Sequence, residues 1–560
     1  MARQIQARIT VQGKLMAMTP LHVGGYGESF DTDLPLARDG GGGFYVPGTS
    51  LAGPMRAWCL DAFDEDETEN LWGFQEKPTK NKAEETRKEG EKRNGHASFV
   101  MIEDAPILNF RDEPLHDYET EIRDGVGINR KWGVAENQIK YDRAILPRGS
   151  KLDFRMIVDV RAEGDFKDIQ ARLGRLLQAL KDGGVPFGAA KTRGLGRVCL
   201  LENDELEIKL QDRKGKDFLL HLRNGGTPSS ITQLNAAKSL SLKEPSRLTV
   251  TIGWEPRGAL MVKSGADGIG VDMLPLVSGK DGHVALVLPG SSVKGAFRSH
   301  AERIVRTLKH ECLNGNEDFA EQLSSIPLIS EMFGLDKQSK KESEQVNGNA
   351  KKKQEGGCIG AIAITDCYSD QNLSREEWQK VMTAKEKDLI KALDEIEQRW
   401  GEENKKRRFE SSQHVAIDRW TGGAAESMLF STLEPYGVSW EPIVLTLDLE
   451  PRRHARDDKA WANRDAALAL LFLLLRDLVA GRVPLGFAVN RGMGEIKVNS
   501  IKFAGKYLQG ELSVLKDNPV VLNDGDSFFN RLDATELLTA LNTAWQKCVA
   551  AMRSNLPLGN

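Results

Sequence analysis

Three sequence patterns occur twice in this chain, in the same order each time. Val185-Pro186-Phe187-Gly188-Ala189-Ala190-Lys191-Thr192-Arg193-Gly194-Leu195-Gly196 is matched by Val483-Pro484-Leu485-Gly486-Phe487-Ala488-Val489-Asn490-Arg491-Gly492-Met493-Gly494. Pro47-Gly48-Thr49-Ser50-Leu51-Ala52-Gly53-Pro54-Met55-Arg56 is matched by Pro289-Gly290-Ser291-Ser292-Val293-Lys294-Gly295-Ala296-Phe297-Arg298. Between them, Val126-Gly127-Ile128-Asn129-Arg130 is matched by Val415-Ala416-Ile417-Asp418-Arg419. One match in a glycine-rich chain carries little weight, but three in a conserved order imply a tandem duplication and one site design used twice.

The 560 residues leave room for two such units and a tail. The reading is a first domain over 1–215 with an insertion at about 64–145, and a linker over 216–245. A second domain follows over 246–505 with an insertion at about 335–435, and then an extension over 506–560. Apolar residues at 40% and charged residues at 28% describe an ordinary globular protein. The net charge of −4 does not advertise a nucleic-acid binder, although a local basic groove is compatible with it. The six cysteines form no C-x-x-C pair and no zinc spacing with histidine, so they read as free thiols of a reducing cytoplasm. The N-terminus has no apolar signal core, and the apolar run from Ala466 to Leu475 is too short to span a bilayer. No membrane partner is expected, and no HExxH, P-loop, serine triad or zinc cluster appears.

Periodicity predicts strands over 6–18, 98–102, 151–160 and 196–201, with helices from Ser50 to about 63 and over 165–181. The second half repeats the order, with strands over 247–254, 358–364, 442–449 and 495–501 and helices over 291–308 and 463–480. The fold class is therefore α+β: two tandem ferredoxin-like (RRM-like) βαββαβ domains with inserted hairpins and a C-terminal helical extension. Residues 76–96 and 337–357 read as solvated charged loops. Ser374 opens a charged helical stretch to 408 with a capping box, and a helix near 534–552 packs either on its own chain or on a neighbour.

R-G-x-G lets another chain approach the backbone closely, and its amides beside Lys191, Arg193 and Arg491 form a phosphate cradle. P-G-[ST]-S opens a helix, where amides and dipole favour an anion; Gly48, Ser50, Arg56, Ser291, Ser292, Lys294 and Arg298 belong to that reading. A tight turn with a capping serine explains the same residues.

These motifs together resemble the RAMP superfamily of CRISPR-associated proteins, most of all the backbone subunit of type III effector complexes. The likeness rests on Thr19-Pro20-Leu21-His22-Val23-Gly24-Gly25, Asp33-Leu34-Pro35-Leu36, both P-G blocks, Val415-Ala416-Ile417-Asp418-Arg419-Trp420-Thr421-Gly422-Gly423-Ala424 and both R-G-x-G loops. It spans about residues 5–202 and 247–503, and two units on one chain resemble the type III-D fusions. The resemblance implies metal-dependent cleavage of target RNA, supported by an aspartate in the loop after the first strand, with Mg2+ or another divalent ion as cofactor. Asp33 and Asp272 stand equally far behind Leu21 and Leu260, so they correspond; Asp31 is a rival in the first half and Asp267 a weaker one in the second. A lone aspartate in such a loop is otherwise a turn residue.

The resemblance also implies thumb hairpins, placed near 125–144 and 412–434, that open the guide–target duplex. Arg130, Trp132, Arg419 and Trp420 are then wedge or backbone contacts, or for the tryptophans hairpin packing. Gly24, Gly25, Gly194, Gly196, Asn490, Gly492 and Gly494 complete the expected RNA contacts. The implied partners are a crRNA guide, target RNA, a large polymerase-like subunit and other backbone and small subunits. Sequence specificity would lie in guide pairing. His22 reads as a loop or structural residue, since Met261 takes its place in the second half; the other reading is a general base for guide-precursor cleavage. A scaffold with inert aspartates is the remaining alternative.

Overall fold

The computed structural model describes residues 7–25, 32–74, 95–160, 165–201, 206–212, 229–230, 246–311, 319–335, 357–400, 407–450 and 463–554 without 524, plus residues 5, 313 and 317. Asp31, residues 76–94 and 337–356 of the two charged loops, and the linker apart from 229–230 lie outside the described residues.

Each half is built on one four-strand pattern. In the first, Ala7–Ala17 lies between Lys151–Val160 and the short Val198–Leu200, and Val100–Ile102 flanks Lys151–Val160. In the second, the order is Ile362–Ile364, Ile443–Asp448, Arg247–Pro256, Ile496–Lys506. All these pairs are antiparallel, which gives the 4-1-3-2 order of the ferredoxin-like fold. The registers repeat as well: Ile9 faces Val158 as Leu248 faces Leu447. The alternation in Ala7–Ala17 puts Ile9, Val11 and Leu15 inward, fully buried.

Helices Gly48–Ala62 and Gly290–Lys309 cover one sheet face, with Asp165–Lys181 and Arg464–Val479 beside them. Leu51, Met55 and Cys59 recur every fourth residue and are buried; each of the larger two contributes about 1.5–3 kcal/mol. The apolar run 466–475 is almost wholly buried in its helix.

Ser50 does not cap its helix. The helix begins at Gly48 after Pro47, and the Ser50 N–H donates to Pro47 O at 2.8 Å. Glycine is required there because a Cβ at Gly48 would lie 2.1 Å from Ile102 O, and one at Gly290 2.2 Å from Ile364 O. The strand expected over 358–364 is confined to Ile362–Ile364, because Cys358 is drawn into a bridge with Leu335. The charged stretch from Ser374 is two helices, Arg375–Thr383 and Glu386–Arg399. Its capping box is present: Ser374 Oγ accepts from Glu377 N at 3.0 Å, and Ser374 N donates to Glu377 Oε2 at 2.7 Å. The last helix, Thr535–Ser554, packs on its own chain through Leu537 and Leu541 in the second core.

Two long hairpins leave this frame, Glu121–Ile128 with Ala135–Ile145, and Arg408–Ile417 with Ala424–Tyr436. They share their irregularities: Gln138 and Ser427 both have φ of 59°, and Gly133 and Gly422 turn at 68° and 70°.

Candidate nucleic-acid interface

The glycine loops are clipped to the loop that follows the first strand of each half. Ala189 N donates to His22 O at 2.9 Å and Gly196 N to Pro20 O at 2.8 Å. Phe487 N donates to Met261 O at 2.8 Å and Gly494 N to Ala259 O at 3.0 Å. Gly188 and Gly486 approach those same carbonyls so closely that a Cβ would lie 2.2 Å and 2.4 Å from them. The left-handed turn at Ala190 and Ala488 then presents the arginine of R-G-x-G.

A hairpin aromatic supports each of those arginines. Arg193 Nη1 donates to Tyr141 Oη at 3.2 Å, while Arg491 lies 5.3 Å from the ring centres of both Phe430 and Phe487. Tyr141 and Phe430 occupy the same hairpin position, since Val126 pairs with Lys140 as Val415 pairs with Leu429. Arg143 was not anticipated from sequence. Its pKa is held down by burial first, and also by the charge of Arg193 beside it. The two neighbouring guanidiniums concentrate positive charge at this point of the cleft. The signal was available in Lys140 and Arg143 on the returning strand, but hairpin register is needed to bring them to the loop.

The two aspartates do the same job in each half. Asp142 N donates to Asp33 Oδ2 at 2.9 Å and Asp33 N to Asp142 Oδ1 at 2.7 Å. Ser431 donates to Asp272 Oδ2 from N at 2.7 Å and from Oγ at 2.9 Å. These bonds, reinforced by parallel bridges Leu34–Arg143 and Met273–Thr432, latch the loop to the base of the hairpin. Both aspartates are exposed, and the backbone and then the side chain of Ser431 lower the pKa of Asp272. In a strand neighbouring residues face opposite sides, so Asp142 points away from the face that carries Tyr141 and Arg143.

A cleft of about 3430 Å³ runs across both halves. Among its walls are Arg143, Lys191, Arg193, Gly194, Arg247, Lys263, Arg482, Asn490, Arg491 and Lys506, with Arg130, Trp132, Ser291, Ser292, Lys294 and Arg298. Its basic side chains outnumber its carboxylates, although the chain as a whole is slightly acidic. Asp33, Asp272, His22, Gly24, Gly25, Gly48, Ser50, Arg56, Gly196, Arg419, Trp420, Gly492 and Gly494 are not part of that lining.

Several expected RNA contacts are committed within the fold. Gly48 N and Gly290 N donate to Asp104 and Asp366 at 2.7 and 2.8 Å, so these amides are spent on protein carboxylates. Lys294 is buried and donates to Ile362 O at 2.7 Å. Arg298 is taken up by Glu302, Gly334 O and Leu323 O, Arg56 donates to Gly73 O, and Arg130 pairs with Glu302 at 2.6 Å. His22 is buried with Nδ1 2.7 Å from Ala144 O, and burial lowers its pKa. A Cβ at Gly25 would meet Leu36 O at 2.7 Å, a packing reason for glycine. Trp132 and Trp420 stand out at the hairpin turns, 66% and 96% exposed.

The sequence model of the RAMP superfamily matches residues 14–199 and again residues 278–497. The chain belongs to the RAMP superfamily. One matched stretch falls in each ferredoxin-like unit, the second beginning after the first strand of its unit, so this is a double RAMP protein. Comparison with curated proteins returns no match. Membership points to a CRISPR-associated RNA-binding subunit. Among the described residues no helix is long and apolar enough to cross a membrane.

Proposed function

We propose that this RAMP protein is a double backbone subunit of a type III CRISPR effector complex, working in the cytoplasm. It holds the crRNA guide along the basic cleft and cleaves paired target RNA at the loops bearing Asp33 and Asp272. The observation that supports this best is the duplicated constellation itself: R-G-x-G arginine on a hairpin aromatic, with an aspartate latched to the same hairpin strand. The partners are the guide, the target RNA, a large polymerase-like subunit, and further backbone and small subunits.

RNA supplies its own nucleophile. The 2′-oxygen attacks the adjacent phosphorus, the bond to the 5′-oxygen breaks, and the 2′-proton is lost as the 5′-oxygen gains one, leaving a cyclic phosphate and a 5′-hydroxyl. The protein's part is to hold that linkage in line, which is a large share of such a barrier. Mg2+ would stabilise charge on the phosphate oxygens. Asp33 with Asp142, or Asp272 with the Ser431 hydroxyl, fits an ion that takes one or two protein ligands and fills its shell from phosphate and water. Among the described residues no group of three or more His, Cys, Asp or Glu could hold a metal.

A scaffold with inert aspartates is the second reading, favoured by their position outside the cleft lining. The precursor-processing reading loses ground because His22 is buried and tied to Ala144. Asp33→Ala and Asp272→Ala, each in the assembled complex with Mg2+, are expected to remove one distinct cut apiece by about 100-fold or more while target binding persists. An unchanged product ladder from the double variant would establish the scaffold.

A further inference from the structure

Among the polar contacts that join the halves are three that the outer faces do not repeat. Arg123, on the first hairpin, donates to Asp366 Oδ2, whose side chain is fully buried and whose Oδ1 accepts from Gly290 N. Glu121 on the same strand accepts from Ser278 Oγ at 2.7 Å and from Gly279 N. Arg130 at the hairpin turn pairs with Glu302 through its guanidinium, and its backbone N–H donates to Gln322 Oε1 at 3.0 Å. Gly194 closes the joint: a Cβ on it would lie 2.1 Å from Asp366 Oδ1.

The duplication assigns each of these residues a counterpart on a free face. Aligning Ile128–Ala135 with Ile417–Ala424 makes Ser412, Glu410 and Arg419 the counterparts of Arg123, Glu121 and Arg130. Asp104, which accepts from Gly48 N as Asp366 does from Gly290 N, is the counterpart of Asp366. Arg38–Phe44 and Val277–Leu286 are matching bridges, which makes Asp39 the counterpart of Ser278. Helix alignment makes Leu60 the counterpart of Glu302. If a second copy docked by the same joint, Ser412 would face Asp104, Glu410 would face Asp39, and Arg419 would face Leu60. That replaces an ion pair by an unpaired carboxylate, a hydrogen bond by two like charges, and a second ion pair by a leucine.

We infer that this joint bars the chain from pairing head to tail with itself. Its exposed Asp39–Asp104 face instead receives a non-identical domain of the same fold, one whose hairpin carries a cation where the first hairpin carries Arg123. The inference concerns assembly and stands whether or not the aspartate loops cleave RNA.

Sedimentation velocity of the full chain tests it, with donor-face variants as the probe. The parent is expected to remain monomeric. Ser412→Arg with Glu410→Gln supplies the missing cation and removes the like charge, leaving the native Asp39–Asp104 face as acceptor. This variant is expected to associate with itself about tenfold or more tightly than the parent, and adding Asp104→Asn should return it to monomer. All three substitutions are at exposed or half-exposed positions, and unchanged thermal melting confirms that each variant is folded. Head-to-tail association of the parent, a monomeric Ser412→Arg/Glu410→Gln variant, or association that survives Asp104→Asn would each overturn the inference.

Discussion

The first and second hairpins start from the same aspartate latch and finish in the same glycine turn, but only the first is held along its length. Its Arg123 and Arg130 are buried against Asp366 and Glu302, and Gly127 lies against Phe319. Exposed apolar residues do not separate the two, since the first leaves Ile122, Val126, Ile128 and Val134 exposed and the second Val415, Ile417, Met428 and Leu429; what separates them is the ion pairs of the first with the other half. The glycine loops differ in parallel. Gly194 is enclosed by Asp366, whereas a Cβ at Gly492 would meet nothing within 4 Å. One copy of the design has thus become an internal joint, and the other still offers its surface. The aspartate loops differ too. The loop of Asp272 leans on the inserted helices, with Ile269 N donating to Met382 O at 3.0 Å and Val271 and Leu274 in a small core with Trp378 and Leu389.

Breaking the joint is expected to have the largest effect. Arg123→Ala leaves Asp366 buried without its charge partner, which costs about 3–5 kcal/mol of stability. The counterpart Ser412→Ala is expected to be nearly neutral, and urea unfolding of the two variants measures the contrast. Next come the glycines. Gly194→Ala meets both a φ of 96° and the Asp366 carboxylate, for a loss of about 2–5 kcal/mol. Gly492→Ala meets only a φ of 90°, for about 1 kcal/mol. Similar losses at both sites would mean that the second loop is also covered.

The effect on RNA is smaller per residue. Arg193→Ala and Arg491→Ala should each reduce the log–log salt slope of guide binding by about 1. Arg130→Ala, whose guanidinium already belongs to Glu302, should leave that slope unchanged.

The smallest effect is a pH dependence that separates the halves at one loop position, His22 against Met261. Burial lowers the pKa of His22, so the unfolded chain takes up a proton first as pH falls. Stability is therefore full well above the ordinary histidine pKa of about 6.5 and declines as pH drops through it, levelling off below the folded pKa. His300, also lowered by burial despite Asp477, adds a decline of the same sign in the second half. Melting at pH 8 and at pH 5.5 is expected to show a smaller difference for His22→Gln than for the parent.

Much of the frame could be read along the chain. Period-two alternation in 7–17 and the four-residue spacing of Leu51, Met55 and Cys59 express local geometry, and local geometry is what residue order encodes. The equivalence of Asp33 and Asp272 was likewise legible from their spacing, and both meet the same hairpin position. The P-G blocks misled because a short motif does not say who will satisfy its amides. Asp104 and Asp366 reach Gly48 and Gly290 from 56 and 76 residues away, and only the folded sheet brings them there. Arg143 went unnoticed for the same reason, since its neighbour Arg193 belongs to a loop remote in sequence.

What the sequence determined alone was the duplicated ferredoxin-like frame and the order of its motifs, because strand alternation, helix spacing and glycine turns are properties of neighbouring residues. Which arginines line the cleft beside an aromatic ring and which are consumed as ion-pair partners across the joint was decided only by tertiary structure. A guanidinium is placed by its neighbours in space: Arg130 found Glu302 on the other half, while Arg193 donates to Tyr141 and Arg491 lies over Phe430 and Phe487 at the cleft.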